Sequence, residues 1–345
     1  VGKSQNQLFA LPATDLAHIL RHAAADLELL RGKSIFITGG TGFFGKWLLG
    51  GLLFASDELD FDLKLTVLSR DPIAFQRQFP EIANLPELHF LQGSVTDFSF
   101  AETRLDYIIH AATDTTAFTV ESEEAHRSLA IVEGTHRVLH LARSTGARLL
   151  NISSGAVYGA LSGQASGAME DDFARAQPLI PYAAAKREAE QLCAESPVDF
   201  VTARAFTFLG PHLPLDAHFA AGNFLRDAHL GGPIIVRGDG TALRSYLYPA
   251  DLVVWLLRIL VRGQRARAYN VGSDEVVTTA QLARLIAGAV QPATEVIIQS
   301  AQPQGPQNIY LPNIQRARTE LNLTVDIPLP DAIARTLGFL RAQRP

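Results

Sequence analysis

The stretch Ile37–Gly45 reads ITGGTGFFG and follows directly on the apolar run Ser34-Ile-Phe-Ile37. Glycines spaced G-x-x-G-x-x-G behind such a run, and ahead of the leucine-rich KWLLGGLLFA, call for a strand, a tight turn and a helix in succession. Gly39 permits the turn, Gly42 lets backbone come close to a bound group, and Gly45 allows close helix-to-strand packing. The helix N-terminus aims unpaired N–H groups and the positive end of its dipole over the turn, which suits a diphosphate. A second strand, LKLTVLS, falls where a βαβ unit would put it. That context lifts the glycine pattern from a chance match to a dinucleotide site.

Strand-like and helix-like segments go on alternating after the turn. LHFLQG, LDYIIHAA, ARLLNIS and VDFVTARAF read as strands; Glu121 to Thr145 and YAAAKREAEQLCAE read as helices. Strands nearly continuous in apolar residues and separated by helices imply an α/β fold with a doubly wound parallel sheet, covered on both faces. Ahead of it, LAHILRHAAADLELL carries Leu16, Ile19, Leu20, Ala23 and Leu27 at helical spacing, an added helix on the outside of the domain. From about Gly210 the pattern changes to glycine- and proline-rich loops between helices. We therefore expect a helical extension over residues 1–32, a dinucleotide-binding domain over 33–210 and, over 211–345, a smaller lobe whose chain crosses back to that domain. Ligands of such sheets sit beyond the strands' carboxyl ends, in the crevice between sheet and lobe.

Composition narrows the partners. With 345 residues, 47% apolar, the chain can bury a large core, and 30 basic against 35 acidic side chains disfavour a nucleic-acid partner. The basic run RGQRARA, Arg262 to Ala268, reads as a solvated helix end. One cysteine, Cys193, suits a reducing compartment, and no apolar run is long enough to span a bilayer. The N-terminus lacks the layout of a signal peptide, so the sequence reads as cytoplasmic with no membrane partner. His136 and His140 lie one helical turn apart without a third ligand and read as structural, so no metal is expected.

Two further stretches carry chemistry. The second strand ends in Ser69-Arg70-Asp71, with no acid at its last position and an arginine after it, which favours NADP over NAD. NISSGAVYG ends another strand at Ser153-Ser154, and PYAAAKREAE follows with Tyr182 and Lys186 four apart, on one helical face. A lysine ammonium beside a phenol favours the phenolate, a general base, and Ser154 can bond the same substrate oxygen. Together they would take a proton from a carbinol while its C–H leaves as hydride to a nicotinamide.

With these motifs the chain resembles the extended short-chain dehydrogenase/reductase family, in its nucleotide-sugar epimerase/dehydratase branch. The resemblance runs from Ser34 to the C-terminus through TGGTGFFG, IIHAAT, VEGT, ISSGAVYG, YAAAK, RAFTFLGP, GNF and GDGTALRSYLYPADL. It implies a Rossmann-type fold with a nucleotide-sugar substrate, and Ser154, Tyr182 and Lys186 as the catalytic set. The cofactor would be bound by Gly39, Thr41, Gly42, Phe43, Phe44, Gly45, Ser69, Arg70, Ala111, Ala112, Thr113 and Phe206, with Tyr182 and Lys186. An adenine contact at Ser94 and Val95 is implied as well. Asn223 and Arg244 would face the substrate diphosphate, the latter with a guanidinium suited to paired phosphate oxygens. His212 follows the same Gly-Pro pair as a histidine of one epimerising branch, which makes it a second acid/base or else a substrate-binding or loop-packing residue; His218 shares its loop. Relatives commonly dimerise through the two long helices, here Glu121 to Thr145 and Tyr182 to Glu195.

Departures from the family pattern bear on the reaction. Where 4,6-dehydratases carry an Asp-Glu pair after the catalytic hydroxyl, this chain has Gly155-Ala156, and decarboxylases also use a glutamate there. Neither residue can carry a proton, which disfavours loss of water or of CO2. Ile131 replaces the usual asparagine of the long helix. The leading expectation is oxidoreduction at C4 of a nucleotide-activated sugar, by a 4-epimerase or a 4-ketoreductase. The alternatives are a dehydratase or decarboxylase with acid and base relocated, to Asp171 or Asp172 for instance, and a non-catalytic NADP-binding sensor or scaffold.

Overall fold

A computed structural model describes residues 8–101, 104–113, 121–159, 166–174, 180–217, 219–300 and 308–343. Helix α1 (Ala13–Leu27) precedes an alternating series: β1 (Ser34–Thr38), α2 (Phe43–Glu58), β2 (Lys64–Ser69), α3 (Pro72–Gln78), β3 (Leu88–Gln92), β4 (Tyr107–His110), α4 (Glu121–Thr145), β5 (Arg148–Ser154), α5 (Pro181–Glu195) and β6 (Phe200–Ala205). Then come α6 (Ala220–Leu230), β7 (Ile234–Val236), β8 (Leu243–Arg244), α7 (Pro249–Arg262), β9 (Ala268–Val271), β10 (Val277–Thr278), α8 (Thr279–Gly288), β11 (Val296–Ile298), β12 (Ile309–Tyr310), α9 (Gln315–Leu321) and α10 (Leu329–Ala342).

Seven strands form one parallel sheet in the order β3-β2-β1-β4-β5-β6-β9. Its central strands are buried along nearly their whole length, as apolar runs covered on both faces require. The order reverses between β1 and β4, so a crevice opens beyond their carboxyl ends, beside Gly39 and Ala111. Two small sheets, β10-β8-β12 and β11-β7, are built from residues beyond 230. The chain does cross back: β9 joins the main sheet beside β6.

Helix α1 is tied in more firmly than an amphipathic stripe alone requires. Leu16, Ile19, Ala23 and Leu27 are buried, and so are Asp15, His18 and Asp26. Asp15 accepts from the Tyr248 hydroxyl at 2.5 Å and pairs with Arg335. His18 meets Asp251 at 2.8 Å, and Asp26 accepts from Arg258 at 2.8 Å and from Arg262. The run at Arg262–Ala268 is therefore not merely solvated: Arg262 holds α1, Arg265 donates to the Pro197 carbonyl and Arg267 pairs with Glu320. His136 and His140 are exposed on α4. Among the described residues, the donors spaced closely enough to share an ion are those of His18, His22 and Asp326. There the two rings stack with centroids 4.2 Å apart and Asp251 takes His18, an arrangement that fastens α1 to α7.

Candidate active site

The glycine turn sits where its residues require. Gly39 has φ +73°, and a Cβ there would lie 2.6 Å from the Ala111 carbonyl, so β1 can approach the end of β4 only as glycine. A Cβ on Gly45 would lie 2.2 Å from the Gly40 carbonyl oxygen, so this glycine closes the turn on itself rather than on a strand. Gly42 is less crowded, a Cβ there lying 3.3 Å from the Gly39 carbonyl oxygen, and it precedes α2 with no side chain capping the helix. The first-turn N–H groups at Phe43 and Phe44 therefore stay available to phosphate oxygens, the donor set that a dinucleotide diphosphate needs. Thr41 is half-buried in the turn, and the Phe44 ring meets Phe208 edge-on at 4.8 Å.

At β4 the Ala111 and Ala112 N–H groups bond the Thr38 carbonyl and hydroxyl, which fixes the crevice wall. His110 beneath them bonds Thr38 and Thr135, and burial pushes its imidazole down to about 3, so it is neutral. At the end of β2, Ser69 is buried and its carbonyl accepts from the Gly93 N–H. Asp71 accepts from the Ala74 N–H at 2.9 Å and caps α3, while Arg70 is exposed. Ser94 bonds Thr96 within its own turn, and the Val95 side chain faces Gly134 of α4.

Ser154 ends β5 and Tyr182 lies in the first turn of α5. Burial pushes the Tyr182 phenol up; the Ser154 hydroxyl and the Arg127 guanidinium, 5.1 Å from the ring centre, pull the other way. Lys186, one turn along α5 from Tyr182, is bonded at the crevice wall. Its ammonium is buried and donates to the Thr113 hydroxyl at 2.8 Å and to the Ile152 carbonyl at 2.9 Å. Burial pushes it down to about 8, with Glu190 pulling upward. The cation on the Tyr182 ring is Arg127 of α4, which no local motif marks. Ile131, one helical turn further on, packs against Ala185 and Ala189 of α5, so an apolar contact replaces a polar support.

Gly155 and Ala156 follow Ser154, and a Cβ on Gly155 would lie 2.6 Å from the Phe206 ring. Phe206 stacks between Tyr158 and Tyr310, at 6.0 and 4.9 Å. The Tyr310 hydroxyl lies 3.4 Å from Ser154 Oγ, a neighbour the sequence reading lacks, since Tyr310 sits on a two-residue strand with no motif around it. Arg244, opposite Tyr310 in the β8–β12 register, donates to the carbonyls of Leu243 and Asn308 and lies 5.8 Å from the Tyr310 ring centre. Asn223 lies half-buried on α6 and accepts from Arg226.

His212 goes elsewhere. Its φ is +67°, its Nε2 meets the Phe9 carbonyl at 2.7 Å, and its ring packs edge-on against Phe79 and Phe339. Burial pushes it down to about 4. These contacts make it an anchor for the N-terminal segment, and the sugar contact expected for it is not carried forward; His218 lies outside the described residues. The relocated acids are also engaged: Asp171 pairs with Arg316 at 2.7 Å, and Asp172 accepts from the Met169 N–H at 2.9 Å.

Residues 35–272 match the family model described as the NAD dependent epimerase/dehydratase family. The chain belongs to this family. This epimerase/dehydratase-family chain is an enzyme of the extended short-chain dehydrogenase/reductase type. It is 26% identical over 318 residues to a UDP-glucuronic acid decarboxylase 1 of Xenopus tropicalis, across 90% of this chain and 73% of that protein. In fold it is similar to an epimerase of Methanothermobacter thermautotrophicus, with TM-score 0.78 and 22% identity over 94% of this chain and 96% of that one. A UDP-glucose 4-epimerase of Thermotoga maritima gives TM-score 0.74 and 20% identity over 90% and 99%. No described helix of the family member is long and apolar enough to cross a membrane.

Proposed function

We propose that this enzyme moves hydride to or from C4 of a nucleotide-activated sugar, as a 4-epimerase or a 4-ketoreductase, without loss of water or CO2. The observation that carries the reading is that Ser154, at the end of β5, is followed in the chain by Gly155-Ala156 rather than by an acidic pair, with Tyr182 in the first turn of α5 as the other hydroxyl for one proton transfer. When bound, the nicotinamide supplies or takes up the hydride. Tyr182 holds or accepts the proton of the C4 hydroxyl, Ser154 orients that oxygen, and Lys186, bonded to Thr113 at the crevice wall, serves the cofactor side. Arg244, held by two backbone carbonyls and a ring and without a carboxylate partner among the described residues, is suited to the substrate diphosphate.

Arg70 supports NADP as the preferred cofactor. With Asp71 spent on capping α3, an exposed guanidinium stands at the end of β2 where an adenosine 2′-phosphate would lie. That preference leans towards the ketoreductase. Similarity to a decarboxylase motivates the competing reading, but Asp171 and Asp172 are already bonded elsewhere and supply no free acid. A homodimer through α4 and α5 fits Leu129, an apolar side chain 59% exposed on α4.

The test is turnover on a panel of UDP-, dTDP-, GDP- and CDP-hexoses and their 4-keto forms, followed by NMR and nicotinamide absorbance. C4 inversion or NADPH-dependent 4-keto reduction is expected, and Tyr182→Phe should lower it by about a thousandfold with cofactor affinity unchanged. Release of CO2 or water, or near-normal turnover in the variant, refutes the reading.

A further inference from the structure

We infer that His18, His22 and Asp326 form a binding site for one divalent transition-metal ion of the zinc class, clamping α1 to the segment between α9 and α10. The inference does not depend on the reaction proposed above.

The ligand set is drawn from the two ends of the chain. His18 and His22 stand four apart on α1, so their rings emerge on one face of the helix. The rings stack with centroids 4.2 Å apart and planes 25° from parallel. Asp326 comes from between α9 and α10, and its carboxylate lies 3.2 Å from Nδ1 of His22. Each of the three residues offers one donor atom, and these atoms all lie within 4.8 Å of one another. Ligand atoms around a tetrahedral zinc, with bonds of about 2.0–2.1 Å, stand about 3.3 Å apart. Closing the difference takes up to about 1.5 Å of side-chain movement. His22 and Asp326, 34% and 30% exposed, have room at the surface to make it.

The surroundings hold the set in place. Asp251 is buried on α7, with one oxygen 2.8 Å from Nε2 of His18 and the other accepting from the N–H groups of Asp326 and Ile327 at 3.0 and 2.9 Å. One carboxylate thus orients the His18 ring and fixes the backbone that carries Asp326, as the outer partners of metal-bound histidines do. With Asp326 it puts two carboxylates beside two imidazoles, a charge that balances a dication. Burial, and then His18, hold the His22 imidazole below its ordinary value, so it is neutral and able to ligate near pH 7. Two ring nitrogens and a carboxylate favour zinc, cobalt or nickel over magnesium and calcium, which prefer oxygen shells. His136 and His140 on α4 are the contrast: the same spacing, exposed, and without a third donor among the described residues.

The test takes the full chain, freed of any affinity tag and stripped by chelator, and adds Zn2+ alone, followed by calorimetry and by thermal unfolding. One Zn2+ per chain should bind and raise the unfolding temperature. His22→Gln and Asp326→Asn should each weaken Zn2+ by at least about tenfold and abolish that rise, with little change in the metal-free unfolding temperature. Replacing both α4 histidines, by His136→Gln and His140→Gln, should leave binding as it was. In the unmutated protein, Co2+ should broaden the imidazole NMR signals of His18 and His22 ahead of those of the other histidines, a readout that survives even if a variant fails to fold. No binding at a tenfold molar excess of Zn2+ overturns the inference. So does affinity that persists in His22→Gln and Asp326→Asn, or broadening that begins on α4, either of which marks an adventitious ion only.

Discussion

Lys186 shows how a buried charge divides function from stability. Its ammonium sits in the interior with two oxygen partners, and its folded value near 8 lies below the ordinary 10.5. Between those values the unfolded chain is protonated and the folded chain is not. The linked stability is therefore complete above pH 10.5 and lost as pH falls to about 8. At neutral pH the shift represents roughly 3 kcal/mol, offset in part by the bonds to Thr113 and Ile152. Lys186→Met should therefore raise the unfolding free energy at pH 7 by about 1–2 kcal/mol, seen as a higher denaturant midpoint, while destroying activity. Its advantage should fade as pH climbs from about 8 towards 10.5; paired unfolding curves at pH 7 and 10 check this. Arg70 offers a test on the cofactor side. Arg70→Ala should weaken NADPH by about tenfold and leave NADH almost unchanged in fluorescence titrations, and equal losses would dismiss the phosphate contact.

Among the elements, α1 is held by charges as well as by apolar surface. Asp26 is 1% exposed and bridges two arginines of α7, with both partners reaching towards solvent. Removing the carboxylate leaves two guanidinium groups facing each other, though both can recover water. Asp26→Ala should cost about 2 kcal/mol, less than breaking a fully buried pair because both arginines reach water, read from urea unfolding. The apolar stripe of α1 was legible in the sequence because a period of 3.6 is a local signal. Its charged anchors were not, because Asp15, His18 and Asp26 find partners more than two hundred residues away. Likewise His212 was legible as a loop residue after Gly-Pro, but its backbone φ and the Phe9 carbonyl decide where its ring goes.

At the scale of the whole molecule, the parallel sheet and the glycine turn could be read from the chain because each depends on neighbours within one βαβ unit. Ser154, Tyr182 and Lys186 could be picked out from the serine at a strand end and the four-residue spacing on a helix, with resemblance adding their joint role, and Tyr310 and Arg127 could not be read at all. Those two reach the site from a two-residue strand and a helix face, placed by tertiary pairing alone. The proposed pairing of two copies belongs to this scale too. Leu129→Glu should shift the protein from dimer to monomer in sedimentation, with the fold intact by circular dichroism; a wild-type monomer would remove the α4–α5 interface.

The contact between Gly155 and Phe206 limits where this chain can go by mutation. An aspartate at 155 would drive its first side-chain carbon into the aromatic ring, and shrinking that ring would strip Tyr310 of a packing partner. Placing an acid at this position would then need coordinated replacements around the ring as well, which single substitutions do not supply.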